Sequence, residues 1–286
     1  MKVNSPERAE DLHAINGGGV RASHRQLYSL LEGVEDTPDN YAAFYGIGVG
    51  GTEPSTAPRH RHVFDQIRFV LDGEYSLRID DHHDKSFVAY FPEGAFYGPV
   101  EIGPTVEEYT VQFGGPSGTG FPSAAQMKRG RELLEQRDGH LEKGVFVWVD
   151  EHGKTHKQDG FEALYEQVTG KPTTYPASRY EGPFIMNPEN FPWVADPELP
   201  GVAWKRLGTF SERDLRIAFV RVDAGAELPV GREPAEEILF LTKGSVAYGG
   251  AVHGRLSTFA TAASDPPEML TATEPAELFY VKLHTF

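Results

Sequence analysis

Short apolar runs separated by turns bearing glycine and proline recur along the chain, and they predict strands joined by tight connections. Residues 41–49, 67–71, 107–113, 145–149 and 215–222 all have this character. Asp72-Gly73 supplies a two-residue turn signal, so 67–71 and 74–77 are expected to pair as a hairpin. Glycines 50 and 51 with Pro54 turn the chain toward a histidine-bearing segment, and Asp80-Asp81-His82-His83-Asp84 reads as an exposed turn. Two stretches have helical character instead. Ser123 can cap a helix running to about Arg137, with Leu133 and Leu134 on its apolar side, and a second helix over 161–168 ends at Gly170-Lys171-Pro172. Residues up to about Gly33, with Gly17-Gly18-Gly19 among them, form a polar arm suited to drape over a partner. Prolines make 175–200 irregular, while Phe184, Phe191 and Trp193 predict that this segment is buried.

One segment repeats. Residues 237–244 align without gaps on 66–73, at an offset of 171. A preceding strand and the turn Asp223-Ala224-Gly225-Ala226 repeat the approach to it. The chain therefore predicts two copies of one architecture. Their expected boundaries are 1–115 for an arm plus the first copy, 116–200 for a connecting section, and 201–286 for the second copy.

The first copy carries the candidate chemistry. On an extended strand His60, His62 and Gln66 project to one side, so two imidazoles can share a metal ion and Gln66 can complete a facial set. In sequence these residues read His60-x-His62, three residues, Gln66, six residues, Gly73; later comes Pro92-x-Gly94, two residues, Tyr97. This spacing resembles the two motifs of the cupin superfamily, with Gln66 standing for the usual Glu and Tyr97 for the usual His. The resemblance covers about two-thirds of the chain. It implies an all-β fold of two cupin barrels (double-stranded β-helix or jelly roll) in one chain, joined by a short mixed section with two helices. In the second copy Gly231 and Glu233 stand where His60 and His62 do, and no histidine lies near 266–272. That barrel is expected to have kept the fold and lost the metal.

Composition narrows the chemistry. The 286 residues include no cysteine, so disulfides and thiolate sites are excluded and nitrogen and oxygen must hold any metal. Twenty-seven basic against 42 acidic side chains give a net charge of −15, which argues against nucleic-acid or anionic-membrane partners. With no signal-like or 18-residue apolar run, a cytoplasmic protein is expected. A small molecule is the expected partner, and exposed strand edges also permit a homodimer.

The resemblance implies His60, His62, Gln66 and Tyr97 as metal ligands, with Fe²⁺ foremost and Mn²⁺, Ni²⁺, Co²⁺ or Zn²⁺ as alternatives. Some members of the superfamily do carry Gln beside the histidines. A phenol coordinates well only as phenolate, so Tyr97 is either a ligand, an acid/base near the metal, or a structural group. Arg68 shares the strand parity of Gln66; if inward, it binds a carboxylate substrate or pairs with Glu101 or Glu108. Tyr97 and Arg68 are thus the candidate catalytic residues, with Tyr75 and Gln112 as further lining. His82, His83, His140, His152, His156 and His253 are scattered, and Glu233 and Glu237 are expected to be structural. The expected function is a metal-dependent enzyme on a small organic substrate, a dioxygenase first, with an isomerase or lyase using Tyr97, or a non-catalytic binding module, as alternatives.

Overall fold

In the computed structural model the apolar runs assemble into two β-barrels, each a larger and a smaller antiparallel sheet facing one another. The structure describes residues 1–11, 25–48, 54–78, 81–83, 86–142 and 144–286. Contacts divide the chain into Glu10–Phe184 and a second unit of Met1–Ala9 with Ile185–Phe286. The glycine run at 17–19 and the turn at 50–53 lie outside the described residues.

The chain opens with β1 (Lys2–Asn4), which belongs to the second unit. The first barrel follows as β2 (Glu10–Asp11), β3 (Arg25–Glu32), β4 (Tyr41–Gly48), β5 (Ser55–Ala57), β6 (Asp65–Asp72), β7 (Tyr75–Arg78), β8 (Asp81–His83), β9 (Phe87–Phe91), β10 (Val100–Ile102) and β11 (Glu107–Phe113). Its larger sheet runs β9-β6-β11-β4-β3-β2 and its smaller one β5-β10-β7-β8. Strand β6 is central, and seven of its eight residues are more than half shielded from solvent. A strand sandwiched this way must be apolar or internally paired on both faces.

The section after the first barrel holds α1 (Ala124–Glu135), the three-stranded sheet β12 (Gly139–Glu142), β13 (Val145–Val149) and β14 (Thr155–Asp159), and α2 (Gly160–Thr169). Ser123 caps α1 through a reciprocal bond with Gln126, and Gly170 ends α2 in the left-handed conformation at φ 66°. The apolar side of α1 differs from expectation. Leu134 is 1% exposed but Leu133 is 45% exposed, because Gln126, Gly130 and Leu134 form the buried stripe.

The second unit adds β15 (Phe184–Met186), which straddles its boundary, β16 (Val194–Ala195), β17 (Val202–Phe210), β18 (Leu215–Val222), β19 (Glu227–Val230), β20 (Glu237–Lys243), β21 (Val246–Tyr248), β22 (Ala251–His253), β23 (Thr258–Thr261), β24 (Glu268–Ala272) and β25 (Ala276–Lys282). Its sheets run β23-β20-β25-β18-β17-β16 and β19-β24-β21-β22, matching the first barrel strand for strand. Beyond that match, β1 pairs with β23, Lys2 opposite Ala260, so part of the expected N-terminal arm is sheet in the second unit. Of the rest, Glu10–Asp11 and Arg25–Glu32 are strands β2 and β3 of the first barrel, and 12–24 lie outside the described residues.

Three further expectations change. No hairpin forms at Asp72-Gly73: β6 pairs with β9 and β11, while β7 pairs with β8 and β10 in the other sheet. Gly73, at φ 93°, is the corner between sheets, where a Cβ would come within 2.7 Å of Val106 Cα. The segment at 81–83 is strand β8 and not a turn, because β7 supplies it with backbone partners. Finally, Phe184 is 36% exposed, and Phe191 and Trp193 are only half-buried; Trp193 instead stacks under Lys205 and Arg221 at 4.9 and 4.3 Å.

Candidate functional site: two imidazoles on one phenol

His60 and Tyr97 face each other in an isolated antiparallel bridge and exchange both backbone hydrogen bonds at 2.9 Å. That register sets their side chains together. His60 Nε2 lies 2.8 Å and His62 Nε2 3.2 Å from the Tyr97 hydroxyl, so both rings converge on one oxygen. The other ring nitrogen of His60 is 2.6 Å from the Pro58 carbonyl. A carbonyl only accepts, so in the neutral ring Nδ1 carries the proton and Nε2 presents its lone pair. Tyr97 therefore donates to His60 and accepts from His62. All three side chains are buried.

The turn that carries Tyr97 is held from several sides. Gly94, at φ 75°, donates its N–H to the His62 carbonyl, and a Cβ there would lie 2.3 Å from the Pro176 carbonyl. Glu93 is buried beside it. Its backbone N–H donates to Asp65 at 2.7 Å, while its carboxylate accepts from Ser117 N–H at 2.9 Å, Ser117 Oγ at 2.7 Å and Arg179 at 2.8 Å. Burial raises the Glu93 carboxyl above the ordinary range, against the pull of the Ser117 bonds. Tyr90 donates to the second oxygen of Asp65, and burial together with that carboxylate keeps the phenol protonated.

Gln66 and Arg68 sit deeper along β6. The strand begins only at Asp65, after a bend at Val63 and Phe64, so the single uninterrupted strand assumed for His60, His62 and Gln66 is broken. The Gln66 carboxamide oxygen accepts from Gln112 at 2.7 Å, and among the described residues its buried Nε2 finds no hydrogen-bond partner. Arg68 Nε lies 3.3 Å from Glu108, the second of the two outcomes expected for an inward arginine, and the guanidinium packs over Tyr75 and Phe91. Glu101 lies on β10, exposed and outside this pairing. Among the described residues no three His, Cys, Asp or Glu side chains gather as for a metal ion, so a third ligand beside His60 and His62 would have to be of another type, such as the Tyr97 phenol or the Gln66 carboxamide.

Several neighbours of the site escaped sequence reasoning. His62 stacks on Phe64 at 4.3 Å, and Phe161 from α2 lies 6.2 Å from the imidazole. Phe64, Phe121 and Val63 form a small core with Phe161, Tyr165 and Tyr175 against it. The connecting section thus covers the histidine end of the first barrel. Tyr97 also lines a groove of about 720 Å³ with Arg59, Phe96, Arg179 and Phe184. The clue in the sequence was the density of aromatics in 161–184, which periodicity alone could not assign to a site. The scattered histidines stay scattered; His156, for example, bonds Asp150 at 2.7 Å, outside the barrel.

No protein-family model matches the chain, and no curated protein matches its sequence. Solved structures match its fold. A candidate dioxygenase from Nostoc punctiforme superposes with a TM-score of 0.61 at 11% identity, over 100% of this chain and 83% of its own. Salicylate 1,2-dioxygenase from Pseudoaminobacter salicylatoxidans gives 0.51 at 19% identity, over 98% and 80%. Oxalate decarboxylase from Bacillus subtilis gives 0.51 at 12%, over 100% and 76%. Identities this low carry the fold alone.

Proposed function

We propose that this chain, a bicupin by fold, is a metal-dependent enzyme whose first barrel acts on a small organic substrate, with dioxygenation as the leading reaction. The observation that supports this reading is the convergence of two imidazole Nε2 atoms on the Tyr97 oxygen. Two neutral imidazoles and a phenol oxygen suit a borderline divalent ion, iron first. His60, His62 and Tyr97 would hold it, with Gln66 joining only if its oxygen leaves Gln112. Such an ion supplies a chelation point for substrate and reactivity toward O₂, or polarises a carbonyl.

The protein's own contributions follow from the geometry. The Pro58 carbonyl keeps the His60 lone pair turned toward the site. Phe64, Phe91 and Phe161 line it with apolar surface that excludes water. The 720 Å³ groove beside Tyr97 offers a route in, with the exposed Arg59 attractive to an acidic substrate. The same fold is shared by two neighbours named as dioxygenases and by an oxalate decarboxylase, so both dioxygenation and lyase chemistry have precedent on it.

The hydrogen-bond relay favours a second reading, isomerase or lyase chemistry. Tyr97 donates a hydrogen bond to the His60 lone pair and accepts one from His62, so a proton the phenol gives to a substrate carbon or oxygen leaves a phenolate that His62 N–H stabilises, and a proton taken from substrate returns to it.

Metal content tests the proposal. Mass spectrometry on protein purified without chelator is expected to find near-stoichiometric iron, manganese or nickel, and none in the His60→Ala/His62→Ala variant. Iron supports the dioxygenase; manganese or nickel shifts weight to proton-transfer chemistry. Absence of metal from both proteins after reconstitution overturns the metalloenzyme and leaves the binding module.

A further inference from the structure

We infer that the second barrel holds a binding site of its own, for a small organic cation: a protonated amine on an apolar or aromatic body. The barrel forms a half-open cavity of about 280 Å³, close to the lower end of typical ligand sites. Ala218, Leu228, Val230 and Leu239 give it an apolar floor, and Trp204 and Tyr280 meet edge to face at 5.2 Å on its wall.

The sign of the ligand follows from which polar groups still have capacity. Arg216 lines the cavity, but its Nε and one terminal nitrogen donate to Asp214 at 3.0 and 2.6 Å, and the other donates to Glu233 at 2.8 Å. Its fork is filled, and the other two arginines of the lining, Arg206 and Arg232, are exposed to solvent, Arg206 lying over the Trp204 ring. Acceptors remain. Among the described residues only one oxygen of Glu233 receives a bond. Tyr280 donates its proton to Glu237 at 2.8 Å, and burial with that carboxylate keeps the phenol protonated, which leaves its oxygen lone pairs for a donor. The charged side chains that line the cavity are four carboxylates, Asp196, Glu198, Glu233 and Glu237, against three guanidiniums, Arg206, Arg216 and Arg232, a surplus of one negative charge. An ammonium group beside Glu233 and Tyr280, its body on the apolar floor near Trp204, meets these demands together.

Calorimetry on the full chain, with benzylammonium, benzoate and benzyl alcohol as probes of matched shape, tests the inference. Benzylammonium is expected to bind about tenfold or more tightly than either isostere. Glu233→Gln, which keeps shape and removes charge, should weaken it by about tenfold, and Trp204→Leu by a smaller factor. The His60→Ala/His62→Ala variant should bind it unchanged, which separates this site from the first barrel. Equal or tighter binding of benzoate or benzyl alcohol overturns the inference. So does the absence of any binding at millimolar concentration, an effect of Glu233→Gln no larger than twofold in a folded protein, or loss of binding in the histidine variant.

Discussion

The central strands β6 and β20 occupy the same place in their barrels and are flanked in the same order, yet they meet opposite interiors. In the first barrel Gln66 faces Gln112 across β11, and the approaching segment brings in His60 and His62. In the second, Glu237 faces Lys282 in register but does not bond it. Its carboxylate instead accepts from Tyr280 and from the backbone N–H groups of Gly231 and Arg232, while Lys282 turns to Asp214 and Thr285. The loop that would bring in metal ligands is thereby tethered by the residue that would be one of them. One backbone plan thus carries a neutral amide pair at this position in one barrel and a hydrogen-bonded carboxylate in the other.

The largest contrast expected between the barrels is in metal content. His60→Ala should empty the protein of metal while its circular dichroism stays native, and Glu233→Ala should change metal content not at all. Loss on Glu233→Ala would place the ion in the other barrel.

Buried charge should separate the barrels next. Glu108 is fully buried against Arg68, so Glu108→Ala strands a cation and should cost about 3–5 kcal/mol in urea unfolding. The 42%-exposed Arg216 and 30%-exposed Glu233 make a wetter pair, and Glu233→Ala should cost under about 1 kcal/mol. Equal costs would mean that the interiors are equally dry.

The corners should behave alike. Gly73 and Gly244 sit at φ 93° and 74°, where a Cβ would meet Val106 at 2.7 Å and the Pro275 carbonyl at 2.1 Å. Alanine at either should cost about 1–3 kcal/mol from backbone conformation, before any clash. A neutral result at one of them would break the equivalence of the repeats.

The smallest effect is one of sign in pH dependence. Hydrogen bonding to Arg216, with Lys282 assisting, lowers the Asp214 carboxyl. Its contribution is present above the ordinary carboxylate value and lost as pH falls through the lowered one, so Asp214→Asn should flatten the loss of stability below about pH 4. Burial raises Glu93, whose protonated form favours the folded state. Stability from this group declines as pH rises from the ordinary value through the raised one, and Glu93→Gln should remove that decline. Denaturation midpoints across pH 3–7 read both.

Much of this was legible beforehand because it depends on local chemistry. The short apolar runs marked β4, β6, β11 and β20, Ser123 and Gly170 bounded helices, and the offset of 171 announced the second barrel. The spacing of His60, His62 and Tyr97 identified residues that the structure does bring together. What tertiary structure decided was pairing across distance. Asp72-Gly73 has the composition of a hairpin but turns between sheets, because β9 and β11 already satisfy both edges of β6. Leu133 and Leu134 look alike in sequence, and only the packing around α1 buries one of them. Whether Arg68 meets Glu101 or Glu108, and whether Glu237 faces a ligand or its own loop, depends on register and on which buried partner lies within reach, since a buried polar group takes the partner that the fold delivers.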